Sequence, residues 1–200
     1  MTFQEMQNAV LTDRFAEAKR ADAKRWINHR AGRLWASEPW TFKLGIVTLS
    51  ASAAATSVSM GTLQRVFSLR DSTVSPDYSG MEAFRPEDFY AYATRTSNVP
   101  NGFTVINNTV YFDTPLSSAR TFTVVGELKY TQLTSDGSTS PFPEEFHETI
   151  VHGARSEGLR EENDPTWQGA EEDYRAGVED MKAAYLTSVR ISNAAYPGWP

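Results

Sequence analysis

The sequence predicts an α+β fold: a bundle of N- and C-terminal helices bracketing a β-rich, sandwich- or barrel-like insertion, with an extended C-terminal arm. Three observations predict it. Apolar residues recur at helical spacing near both ends, and short runs rich in Thr, Ser, Val and Phe fill the middle. Proline or a polar turn stands at each change of texture. The expected division is 1–40 with 141–188 for the bundle, 41–132 for the insertion, 133–142 for a linker and 189–200 for the arm.

Thr2 followed by Glu5 is a capping-box signature, so a short helix carrying Phe3, Met6 and Val10 is expected to begin at once and to end near Thr12-Asp13. A second helix is expected from Asp22 to Ser37, because Ala23, Trp26, Ile27, Ala31, Leu34 and Trp35 follow the i, i+3/i+4 rhythm. Glu38-Pro39 stops it, since a residue before proline is driven out of helical dihedrals.

Strands are expected at 41–49, 53–60, 64–70, 103–106, 109–113 and 120–131. Asn107-Asn108 is the expected hairpin turn, because asparagine tolerates positive φ. RPEDFYAYA interrupts the strands as a helix with Pro86 at its first position. Pro143 is expected to open a long helix with Glu144, Glu145 and Glu148 near its positive end, and Asn163-Asp164-Pro165 to break it, Asp164 capping the next. That last helix carries Trp167, Tyr174, Val178, Met181 and Tyr185, a heptad-like seam. SVRISNAAYPGWP then returns to strand-like and irregular composition.

Without cysteine the chain has no disulfide framework, thiolate metal site or thiol nucleophile. It carries no secretory leader and no apolar run long enough for a membrane span, so a soluble protein made in the cytoplasm is expected. The net charge of −6 argues against a nucleic-acid grip. That charge is uneven: seven bases stand against four acids in residues 1–37, and five against twelve in 143–190. Helices of opposite sign are expected to face each other, within a chain or between chains.

HETIVH raises the question of a metal. In the zinc-peptidase pattern the histidines are four apart, whereas His147 and His152 are five apart and diverge by about 140° around a helix. A metal-dependent hydrolase on His147, Glu148 and His152 is therefore disfavoured, and no catalytic, metal or cofactor site is assigned. Phe146, Ile150 and Ala154 instead make an apolar stripe, while Gly153, Ala154, Ser156 and Gly158 let another helix approach. Trp26, Trp35 and Trp40 beside the basic helix of 24–33 raise a nucleic-acid module, but their helical spacing points to a core. Tyr196 and Trp199 lie in a tail too short to cover them, which suggests docking on a neighbour.

The opening MTFQEMQNAVLTDRF with ADAKRWINHRAGRLWASEPWTF, and the later PEEFHETIVHGARSEGLREENDPTW with its acidic final helix, resemble the head-to-tail connector (adaptor) proteins of tailed bacteriophages. The likeness covers 1–42 and 141–190. It implies a non-enzymatic, cofactor-free virion protein at the head-to-tail interface, commonly twelve copies in a homo-oligomeric ring. Such a ring sits beneath the portal protein, carries the tail or next connector protein, and surrounds a channel that DNA crosses without sequence-specific binding. No membrane partner is implied. The arm residues Val189, Ile191, Tyr196 and Trp199 are expected to dock on the portal or a neighbouring subunit. Inter-helix or inter-subunit packing is expected of Trp26, Gly153, Gly158, Trp167, Tyr174, Val178, Met181 and Tyr185. A tail terminator with six-fold symmetry is the alternative within virion proteins.

Overall fold

Thr2 and Glu5 close the capping box: the Glu5 N–H donates to the Thr2 hydroxyl at 3.3 Å and the Thr2 N–H to the Glu5 carboxylate at 2.6 Å. Helix α1 (Phe3–Leu11) follows, burying Phe3, Met6, Val10 and Leu11. The computed structural model describes residues 1–12, 15–73, 80–92 and 99–186. After a 3-10 turn over Glu17–Lys19, α2 runs Arg20–Ser37 and ends where Glu38 becomes extended ahead of Pro39.

The middle forms two sheets. In the first, β1 (Leu44–Ala51), β7 (Arg120–Leu128) and β3 (Leu63–Asp71) lie antiparallel in the order β1-β7-β3. In the second the order is β2 (Ser57–Ser59), β6 (Thr109–Phe112), β5 (Gly102–Ile106) and β4 (Glu82–Ala83), with only β4 and β5 parallel. Leu49, Leu63, Leu69, Phe122 and Val124 from one sheet share a core with Phe103, Val110 and Phe112 from the other. Phe112 and Phe122 stack with centroids 4.8 Å apart, so the insertion is a small sandwich rather than a barrel.

Alternation along β7 sets its faces, with Arg120, Phe122, Val124 and Gly126 buried and their neighbours half-exposed. Gly126 admits the Arg65 carbonyl where a Cβ would stand, at the point where β3 shifts register. Asn107 and Asn108 adopt φ of 48° and 64° and make the β5–β6 hairpin as expected. Helix α3 occupies Pro86–Tyr92.

Several boundaries differ from the sequence reading. Residues Thr41–Lys43 form a 3-10 turn rather than the start of a strand, because the ring of Phe42 stacks on Trp40. The expected strand at 53–60 shrinks to β2, since Ala54 takes φ of 63° in a turn. The two-residue β4 has no periodicity to betray it. Pro143 precedes a 3-10 turn over Glu144–Phe146, with the Phe146 N–H on its carbonyl at 3.0 Å, and the α-helix proper, α4, is His147–Glu161.

Asn163 ends α4 with φ of 56°. Its N–H reaches the Arg160 carbonyl and that of Asp164 the Leu159 carbonyl, a Schellman closure. Asp164 then accepts from the Thr166 N–H and hydroxyl, at 2.8 and 2.7 Å, just before α5 (Trp167–Tyr185). The described chain divides into two compact units, one built from Met1–Phe42 and 130–186, the other from Lys43–Lys129. The expected C-terminal arm lies outside the described residues.

Candidate functional site

Helix α4 is the centre of the helical unit and packs against α1, α2 and α5. Nine of its residues are buried, among them Ile150, Val151, Ala154 and Leu159. Its small residues set how close its neighbours come. A Cβ on Gly158 would lie 2.6 Å from the Trp26 ring, and one on Gly153 would lie 2.8 Å from the Tyr174 ring. On α5, Gly177 faces Thr149 just as tightly. These contacts are inter-helix and lie within one chain.

The seam of α5 is only partly closed. Met181 is fully buried, whereas Trp167, Tyr174, Val178 and Tyr185 are half-buried. Trp167 lies under the Arg160 guanidinium at 4.2 Å, and Tyr185 donates to Glu145 at 2.8 Å and packs edge-on to Phe42 and Phe146.

Three helices are tied by a buried ionic cluster that the sequence reading missed. Arg30 of α2 donates to Glu157 of α4 at 3.2 Å and to Glu171 of α5 at 3.1 Å, with its guanidinium 5.1 Å over the Tyr174 ring. Ser156 donates to Glu171 at 2.7 Å, and His29 Nδ1 lies 2.7 Å from Glu157. Burial works to raise the Glu171 carboxyl, but the Ser156 hydroxyl and the Arg30 charge outweigh it and hold it below the ordinary value of 4.5. The signal was available. Arg30 stands in register with the Trp26-Ile27 and Leu34 stripe, and Glu171 falls in the seam between Trp167 and Tyr174.

Opposite charges meet within the chain. Arg25 makes a two-pronged contact with Glu161 at 2.7 and 2.8 Å, Lys19 reaches Glu162 at 3.2 Å, and Lys182 lies 3.7 Å from Glu38. Lys24 reaches Asp136 at 2.8 Å. The 133–142 stretch, expected as a linker, is strapped to the helices. The Phe3 and Gln4 N–H groups bond to Ser138 and Asp136 carbonyls, Asn28 bonds both backbone groups of Leu133, and Phe142 is buried against Trp35. Phe42 and Tyr130, where the chain leaves and re-enters this unit, both pack on Trp35, at 5.7 and 6.0 Å.

Among the described residues, the two histidines of HETIVH turn to different partners. His147 is buried at the first position of α4, its Nε2 2.9 Å from the Phe142 carbonyl and its Nδ1 2.7 Å from the Met1 amine. Burial pushes the imidazole below its ordinary value. His152 instead looks toward Asp173 at 3.8 Å. No group of three metal-ligating side chains gathers among the described residues. Trp26, Trp35 and Trp40 are core residues, the Trp40 indole donating to the Leu34 carbonyl at 2.7 Å, and offer no stacking platform. Lys24, Arg25 and Arg30 of the basic helix are engaged by acids. No described helix is long and apolar enough to cross a membrane.

Among the described residues of the sandwich unit, β1 presents an unguarded edge. β1 pairs with β7 over eight successive residues without a bulge and is an edge of its sheet among the described residues. Leu44 and Ile46 point outward from it, 39% and 74% exposed. Lys43, which would have charged the edge, turns inward to Glu127 at 3.0 Å.

Val189, Ile191, Tyr196 and Trp199 lie outside the described residues. Compared with known protein families, the chain matches over residues 1–196 the one described as SU10 adaptor protein, a phage head-to-tail adaptor family. No curated protein matches it.

Proposed function

Because this chain belongs to the SU10 adaptor protein family, a family of structural phage adaptors, we propose that it is a non-enzymatic virion protein that forms a ring beneath the portal. The ring joins the filled head to the tail and surrounds the DNA exit channel. The observation that carries this reading is the family match across nearly the whole chain, through both helical ends and the sandwich between them.

The helical unit suits the body of such a ring. Three of its helices are locked by the Arg30 cluster, a fixed geometry that repeated subunit contacts require. Its own ends satisfy each other's charge, so neighbouring copies are held by other surfaces. The exposed acids Glu172, Asp173, Glu179 and Asp180 of α5 give a face to which DNA phosphate does not adhere. The arm after α5 supplies the docking residues Val189, Ile191, Tyr196 and Trp199.

Deleting 190–200 tests the arm. The truncated protein is expected to remain folded and soluble yet fail to join portal-containing particles. Normal incorporation of the truncated chain overturns the anchoring role.

A further inference from the structure

Sheet edges in soluble proteins are guarded by charge, proline or bulges, because their free N–H and C=O groups otherwise recruit another strand. The β1 edge has none of these. LGIVTLSA carries no charge and no proline, its pairing with β7 is unbroken, Lys43 is turned inside, and Ile46 stands 74% exposed beside Leu44. Such an edge fits a partner that adds a strand.

We propose that the β1 edge of one copy receives Ser188–Ser192 of a second copy as an added strand. The inference rests on the ring reading above. SVRIS alternates Val189 and Ile191 with Ser188, Arg190 and Ser192, the period of two that places both aliphatic side chains beside the Leu44 and Ile46 row. Main-chain hydrogen bonds supply affinity and the aliphatic pair supplies register. An edge and a separate segment make a heterologous contact, which repeats around a ring with each copy giving one and receiving one. Pairing of β1 with β1 of a second copy is isologous and closes at two, so it does not propagate.

The cysteine-free sequence makes the test direct. One full-length population carries Thr48→Cys, on the Leu44 and Ile46 face, and the other Thr187→Cys or Asn193→Cys, the arm positions that fall opposite Thr48 in antiparallel and parallel pairing; they are mixed, assembled on portal-containing particles and treated with a short bis-maleimide. Mixed dimers containing one chain of each kind are expected. Adding Ile46→Lys to the first population, with folding checked by circular dichroism, is expected to lower their yield about tenfold. Particles that carry many copies but yield no mixed dimer, or a yield indifferent to Ile46→Lys, overturn the strand-acceptor role and leave the ring standing. Linkage of the arm cysteine to the portal, or linkage only inside a control chain that carries both substitutions, overturns it equally. Protein that never joins the particles overturns the ring reading itself.

Discussion

The Arg30 guanidinium of α2 lies 3.1 Å from the Glu171 carboxylate of α5, and both side chains are almost out of solvent. Helix α4 packs against both helices, and its Ser156 and Glu157 complete the cluster. Removing one partner strands a buried charge, a loss of about 3–5 kcal/mol. Arg30→Ala is therefore expected to destabilise the helical unit by that much in denaturant unfolding followed by far-ultraviolet circular dichroism. Arg25→Ala, which breaks the exposed contact with Glu161, is expected to cost under about 1 kcal/mol.

Acid is expected to act on the same cluster and, separately, on His147 at the start of α4. Glu171 is held below its ordinary 4.5, so its stabilising effect is present above that value and lost as the pH falls through the lower folded value. His147, lowered mainly by burial, begins to oppose folding once the pH drops below its ordinary 6.5. Thermal melts are expected to decline first below about pH 6.5 and again below about pH 4.5. Glu171→Gln is expected to flatten the lower decline, and unchanged pH dependence in that variant would contradict the assignment.

Two glycines on neighbouring helices are expected to respond with opposite sign. Gly169 of α5 has open space where a Cβ would stand, so Gly169→Ala gains up to about 1 kcal/mol from helix propensity. Gly158 of α4 faces Trp26 and the Phe15 ring, at 2.6 and 2.8 Å from the same virtual atom. Gly158→Ala therefore loses about 1–3 kcal/mol through overpacking despite the same propensity gain. Paired melting curves of the two variants check this.

At the β5–β6 hairpin, Asn108 adopts φ of 64°. Asn108→Gly is expected to keep or slightly raise stability, while Asn108→Val costs about 1–2 kcal/mol because a branched side chain resists the left-handed region. Loss of near-ultraviolet signal at lower denaturant reports it.

What was legible in the sequence followed periodicity and punctuation. Thr2/Glu5, Pro39, Asn107-Asn108 and Asn163 mark element ends because each needs only local geometry, and the helices and most strands fall where the apolar pattern places them. Composition places Phe42 in a strand, whereas it sits in a 3-10 turn because its partner is Trp40 two residues back, a ring contact that no period reports. The acids after Pro143 read as a solvated face, and most are. Glu171 is the exception, and only the stripe position of Arg30 on a distant helix hinted at it. The β1 edge could not be seen at all, since which strand lies outermost follows from strand order rather than composition.

The most direct test of the central claim is the mass and rotational symmetry of this protein bound to its cognate portal, by native mass determination and particle imaging. A closed ring of twelve copies on one face of the portal is expected. A protein that stays monomeric beside the portal, or a six-fold ring at the tail end without portal contact, would contradict it.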